Sequence, residues 1–224
     1  MKPPLTLVEE IVLLSLDDET GAHLPLPPSA LGYGIAGAIL SDLIMAERIS
    51  VDGSVKVLNS EKTNNPLLDP WLQRIVDETY VHSIHYWISA ISDEKRDIES
   101  SVLDHLIERG ILIRKDKKIL WVVGLRRYPT IHNEERVEVR TRLQRLIFSD
   151  DKADHFDSTL ISLLDGCYLL PSVLPESELA DRSERIDEIA KSDPVGREVA
   201  IATRETLDAL MRSQSATLAS PEGY

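Results

Sequence analysis

Gly32, Gly34 and Gly37 stand in the GxGxxG spacing that lets a backbone turn close against a pyrophosphate, and Asp52 follows about 20 residues beyond Gly32. That chemistry needs a buried parallel strand to aim the turn at the ligand. The preceding residues, HLPLPPSA, contain three prolines and cannot form an interior strand, and no βαβ alternation follows. The three glycines read instead as a surface for close helix packing. His82 and His85 are spaced to put two imidazoles on one helix face, but no cysteine or further histidine lies near them in sequence. Among Tyr80, Tyr86 and Trp87 they read as partly exposed members of an aromatic belt. The single cysteine, Cys167, lies in the apolar run SLLDGCYLLP, a poor setting for a thiolate and a good one for a small buried side chain. Asp17–Gly21 lacks the ligand spacing of a calcium loop, and neither a GxSxG elbow nor a Walker A loop occurs. The expectation is a protein with no catalytic residues, no metal site and no cofactor.

What remains is charge. The chain of 224 residues carries a net −13, with 25 Lys/Arg against 38 Asp/Glu, which disfavours a general nucleic-acid binder. Residues 95–145 hold 13 of those cations and 8 of the acids, so this segment is +5 inside a remainder of −18. Its basic positions are candidates for contact with an anionic surface, provided that charge separated in sequence is also separated in space.

The elements that must position these residues follow from hydrophobic pattern. Leu5–Ile49 reads as two buried helices around a Gly- and Pro-rich corner. The first is apolar nearly all round, with Thr6, Glu9 and Glu10 at its start; the second is threaded with Gly34, Ala36, Gly37, Ala38 and Ala46. Val51, Val55 and Val57 around Asp52-Gly53 predict a small β-hairpin. Residues 69–92 are helical, either as one helix from Pro70 or as two split near Thr79–His82. The apolar positions of 93–110 mark one amphipathic helix stopped by Gly110. ILIRKDKKILWVV then predicts a hairpin with a charged tip at Arg114–Lys118, ended by Tyr128-Pro129. A helix followed by a hairpin is also the pattern of a winged helix, which the overall acidity disfavours. The second half of HNEERVEVRTRLQRLIFSD, then Phe156–Leu170, Glu176–Lys191 and Val195–Met211, complete the helices.

The sum is a mainly α fold, a single globular helical domain with small β-hairpins over residues 1–212, followed by a flexible, Ser/Ala-rich tail at 213–224. With 42% hydrophobic and 28% charged residues the composition is that of a folded soluble domain. The longest apolar runs, IVLLSL and ILWVVGL, fall far short of the roughly 20 residues a spanning helix needs. No signal peptide is visible, since Glu9, Glu10 and Asp17–Glu19 interrupt the N-terminal apolar run, and a cytoplasmic location is expected.

LTLVEEIVLLSLDDETG, followed after a loop by GYGIAGAILSDLIMAERI, resembles the opening of the Golgi phosphoprotein 3 (GPP34) family. NNPLLDPWLQRI, SSVLDHLIERGIL, RTRLQRLIF and STLISLLDGCYLLPSVL resemble later family segments in the right order, and IDEIAKSDPVGREV is similar to the closing pattern of its prokaryotic members. The resemblance implies a mostly helical globule around a central helical core, with a protruding hairpin used in self-association, here 111–127. It implies a peripheral membrane adaptor that binds phosphoinositide or other anionic headgroups without catalysis. It further implies that the cytoplasmic tails of membrane proteins could be partners. The family's headgroup pocket, lined by a Trp and several Arg, maps onto Leu26 or Pro27, Ala36, Arg96 and Glu99, so Arg96 alone keeps its charge. Together with the basic segment this nominates Arg96, Arg114, Lys115, Lys117, Lys118, Arg126 and Arg127 as headgroup-binding residues. The alternative is a protein-binding adaptor for basic tails with no lipid affinity.

Overall fold

The computed structural model describes residues 4–17, 19–116, 126–131 and 134–219. Among them eleven helices and two small antiparallel ladders form a mainly α domain. Helix α1 (Leu7–Leu14) starts in a full capping box: the Thr6 hydroxyl accepts the Glu9 N–H, and the Glu9 carboxylate accepts the Thr6 N–H at 2.9 Å. Every residue of α1 is buried, Glu9 and Glu10 included. A helix enclosed on all sides needs neighbours on all sides, and α2 (Ala30–Met45), α5 (Lys95–Glu108), α6 (Glu134–Phe148) and α7 (His155–Gly166) supply them.

The small residues of α2 do what their spacing predicts. A Cβ on Gly37 would lie 2.5 Å from Leu163 of α7 and 2.9 Å from Thr203 of α11 (Pro194–Ala219), so only glycine allows α7 and α11 to approach this closely. All three glycines of the GxGxxG pattern lie inside α2, not in a loop.

The first hairpin is β1 (Ile49–Asp52) paired with β2 (Ser54–Val57), with Gly53 at φ +63° in the turn. Of the two readings of 69–92, the split one holds: α3 (Asp69–Asp77) ends before an extended linker, and α4 (Ile84–Asp93) begins at a Ser83 cap. The linker lies along β2, with Val55 N–H donating to His82 O at 3.0 Å and Ile84 N–H to Gly53 O at 3.1 Å. Helix α5 stops at Gly110, φ +70°, and the Ile111 N–H returns to Leu106 O at 2.9 Å.

Four features differ from the sequence pattern. The second hairpin pairs β3 (Lys115–Asp116) with β4 (Arg126–Arg127), Lys115 opposite Arg127 and Asp116 opposite Arg126. Of the expected tip at Arg114–Lys118, Lys115 and Asp116 stand in β3, and Lys117 and Lys118 lie outside the described residues. Helix α6 fills the whole of 134–148, because Glu134 and Glu135 suit its positive end. After α7, a Tyr168 at φ +58° breaks the chain into α8 (Leu170–Val173), then α9 (Glu176–Leu179) and α10 (Ser183–Lys191), so one expected helix is two. Helix α11 runs on to Ala219, beyond the Met211 at which its apolar pattern ends.

Candidate functional site

The β3–β4 stem gathers part of the nominated set. Lys115 is exposed, Arg127 is half-buried, and neither makes an ion pair among the described residues. Arg114, just before β3, is exposed but paired with Asp104 of α5. Arg126 stands beside Arg127 on β4. The base of the stem is held by Ile113 N–H to Pro129 O, by Ile131 N–H to Ile111 O, both at 3.0 Å, and by Tyr128 N–H to Gly21 O at 2.8 Å. Gly21, at φ +62°, is pressed so closely on the Tyr128–Pro129 peptide that a Cβ there would sit 2.1 Å from Pro129 N. Lys117 and Lys118 lie outside the described residues, as does the ILWVVGL run with Trp121.

Arg96 is exposed and set apart, at the far end of α5, roughly 20 Å along the helix from the stem. Its surroundings are neutralised from within. Glu99, only 13% exposed at its side chain, lies 3.0 Å from His23 Nε2 and 3.8 Å from Lys95 Nζ. The Lys95 stem passes over Gly32, 3.3 Å from where a Cβ would stand. At the positions where the resemblance placed a headgroup pocket, a carboxylate of the protein thus faces the neighbouring cations.

Most of the other cations of 95–145 point inward. Arg109 meets Glu9 at 2.7 Å. Arg142 serves three carboxylates, Glu10 and Asp157 at 2.6 Å each and Glu138 at 2.9 Å. Arg136 is 0% exposed, whereas Arg145 stays at the surface, where it meets Asp151 at 3.3 Å. The +5 segment therefore spends much of its charge holding the acids of α1 and α7 inside the domain.

Asp42 is a buried acid that meets no Lys or Arg among the described residues. Asp42 of α2 accepts the N–H groups of Leu7 at 3.0 Å and Val8 at 3.1 Å, satisfying the open first turn of α1. Burial pushes its carboxyl up to about 7 against the lowering effect of those two bonds, and Glu9 and Glu10 add to the rise. Glu10 is likewise pushed up to about 7 by burial, despite Arg142. Asp157 is raised by burial as well. Asp42 escaped sequence reading; a lone acid among the small and apolar residues of α2 was the signal that could have found it.

The remaining candidates have structural partners. Cys167 is buried, and burial lifts its thiol to about 12, far from a reactive thiolate. His82 precedes α4 rather than sharing a helix face with His85. It stacks on Tyr86 with ring centroids 3.9 Å apart and meets Glu78 at 3.3 Å, whereas His85 meets Glu205 of α11 at 3.1 Å. Trp71 and Trp87 are core residues. Among the described residues no group of three or more His, Cys, Asp or Glu could hold a metal ion, and no helix is long and apolar enough to cross a membrane.

Comparison with known proteins adds a family. The model of the Golgi phosphoprotein 3 (GPP34) family matches residues 7–206. Vacuolar protein sorting-associated protein 74 of Schizosaccharomyces pombe is 23% identical over 170 residues, which cover 66% of this chain and 50% of the relative. The protein of the same name from Eremothecium gossypii is 23% identical over 164 residues, 63% of this chain and 49% of the relative. The chain spans about half the length of the curated relatives it matches.

Proposed function

This chain belongs to the Golgi phosphoprotein 3 (GPP34) family, and from that premise we propose that it is a non-enzymatic, peripheral membrane adaptor of the prokaryotic type. In this reading it engages anionic headgroups, phosphoinositides among them, through the cationic stem of the second hairpin. The observation that carries the reading is the pairing of Lys115 with Arg127 beside Arg126, at the neck of a connection that also contains Lys117 and Lys118. Cations near an anionic bilayer contribute about 1 kcal/mol each and are screened within a Debye length. Four or five of them give weak, salt-sensitive association. A multiply charged inositol phosphate held tightly would need several donors converging on one point. Arg96 next to a Glu99 already engaged with His23 and Lys95 does not provide that convergence.

Flotation with neutral, generic anionic and phosphoinositide-containing vesicles, at low and at physiological salt, tests the reading. Binding to every anionic vesicle that fades with salt supports it. Association unaffected by salt, or none with any anionic vesicle, overturns it.

A second reading, an adaptor for basic tails of membrane proteins, is favoured by a different surface. A cleft of about 470 Å³ among α7, α8, α9, α10 and α11 is lined by Asp165, Glu184 and Asp187 over Leu170, Leu179 and Ile186. Arg204 in its wall is already paired with Asp165 at 2.8 Å. Capture of basic tail peptides that survives charge reversal at Arg126 and Arg127 and is lost on Glu184→Lys would favour this reading over the first.

A further inference from the structure

A second cleft, of about 380 Å³, opens between the β1–β2 turn, the start of α4 and the first half of α11. Its floor is apolar: Ile84, Pro194, Ile201 and Ala202. Ile201 is 47% exposed there, an aliphatic side chain left facing water in a concave site.

The polar groups around this floor pair off, with one exception. Glu198 accepts the Gly53 N–H at 2.8 Å, Glu205 meets His85 at 3.1 Å, and Lys191 meets Asp187 at 2.9 Å. Arg197 lines the cleft, is half-buried, and makes no hydrogen bond or ion pair through its side chain among the described residues. It acts on Asp187 only through space. A guanidinium left without acceptors beside an apolar floor is a site for an acceptor that brings an apolar body with it. The planar fork of arginine matches a carboxylate in two parallel bonds, and such charge-assisted bonds strengthen where water is partly excluded.

We propose that this cleft binds a small monoanionic carboxylate with an apolar body, the carboxylate on Arg197 and the body over Ile201 and Ile84. One uncommitted cation favours one negative charge. Glu198 and Glu205, which also line the cleft, disfavour a second negative charge, which sets this ligand apart from a phosphoinositide headgroup. The cleft's volume is that of a small-molecule pocket rather than a macromolecular interface. A free medium-chain carboxylate and the C-terminal carboxylate of an apolar peptide share this chemistry.

Calorimetric titration of the full chain with octanoate, 1-octanol, N-acetyl-leucyl-leucine and the amide of that dipeptide tests the proposal. Octanoate is expected to bind and 1-octanol to bind at least tenfold more weakly. Arg197→Met, which keeps the aliphatic stem, should weaken octanoate about tenfold or more at an unchanged melting temperature. Ile201→Gln, at an exposed position, should weaken it as well. Binding of the dipeptide but not its amide would assign a peptide terminus as ligand; octanoate without the dipeptide would assign a free acid. Absence of octanoate binding at millimolar concentration, or equal binding by the Arg197→Met protein, overturns the proposal.

Discussion

Arg142 and Arg127 come from the same basic stretch of sequence, and the fold gives them opposite surroundings. Arg142 is held on three carboxylates from α1, α6 and α7. Arg127 stands on a two-residue strand with no ion pair among the described residues. The first is spent on cohesion, and the second remains available to a ligand. Local charge density in a sequence therefore overstates a binding face wherever buried helices bring acids of their own. In this molecule Glu9 and Glu10, on a helix with no exposed side, draw in Arg109 and Arg142.

That contrast can be broken at its buried end first. Arg142→Leu leaves Glu10 and Asp157 without their cation, and a cost of about 3–5 kcal/mol is expected in urea denaturation. A loss below about 1 kcal/mol would show that the network is incidental to the fold.

The same interior should respond to pH. The folded state holds protons on Asp42 and Glu10 up to about pH 7, whereas the unfolded chain releases them near the ordinary carboxylate values of 3.8 and 4.5. Between those limits the folded state binds more protons than the unfolded one, so stability must fall as pH rises. The contribution of these two groups is greatest below about pH 4, declines toward about pH 7 and levels off above it. For Asp42 alone the fall is on the order of 4 kcal/mol. Asp42→Asn should flatten the decline, and an unchanged profile in that variant would remove Asp42 from the account.

At the exposed end the effects move from stability to association. Lys115→Ser with Arg127→Ser should leave the denaturation midpoint within about 0.5 kcal/mol of the parent. It should also weaken binding to anionic vesicles at low salt by roughly tenfold or more. The smallest expected effect belongs to Glu99. Its replacement by Ala releases His23 and Lys95 and should strengthen association with anionic vesicles by a small factor, roughly two- to fivefold at low salt. Weaker association in that variant would mean that the carboxylate orders the site instead of occupying it.

Features that depend on a few neighbouring residues were legible in the sequence. The Thr6–Glu9 capping box, Pro70 in the first turn of α3, Gly53 in its hairpin and the Gly110 stop each follow from local backbone chemistry. The glycines of α2 were legible as packing sites because the prolines before them excluded the competing motif. What the sequence hid are pairings across the chain. Arg109 reaches Glu9 from 100 residues away, and Arg142 reaches Glu10 from 132. No local pattern encodes which acid a given arginine will meet. The stem register was hidden for a related reason, since alternation gives the faces of a strand but not the position of its turn. Of the nominated residues, Arg114, Lys115, Arg126 and Arg127 share the stem, and Arg96 stands a helix length away.

The most direct measurement is flotation of the Lys115→Glu/Arg127→Glu protein beside the parent, on generic anionic vesicles at low salt, with both shown to melt at the same temperature. The account predicts that the parent floats and the charge-reversed protein stays behind. Equal flotation of the two would contradict it and put the headgroup contact outside the stem, and flotation of neither would return the choice to the acidic cleft and its basic tails.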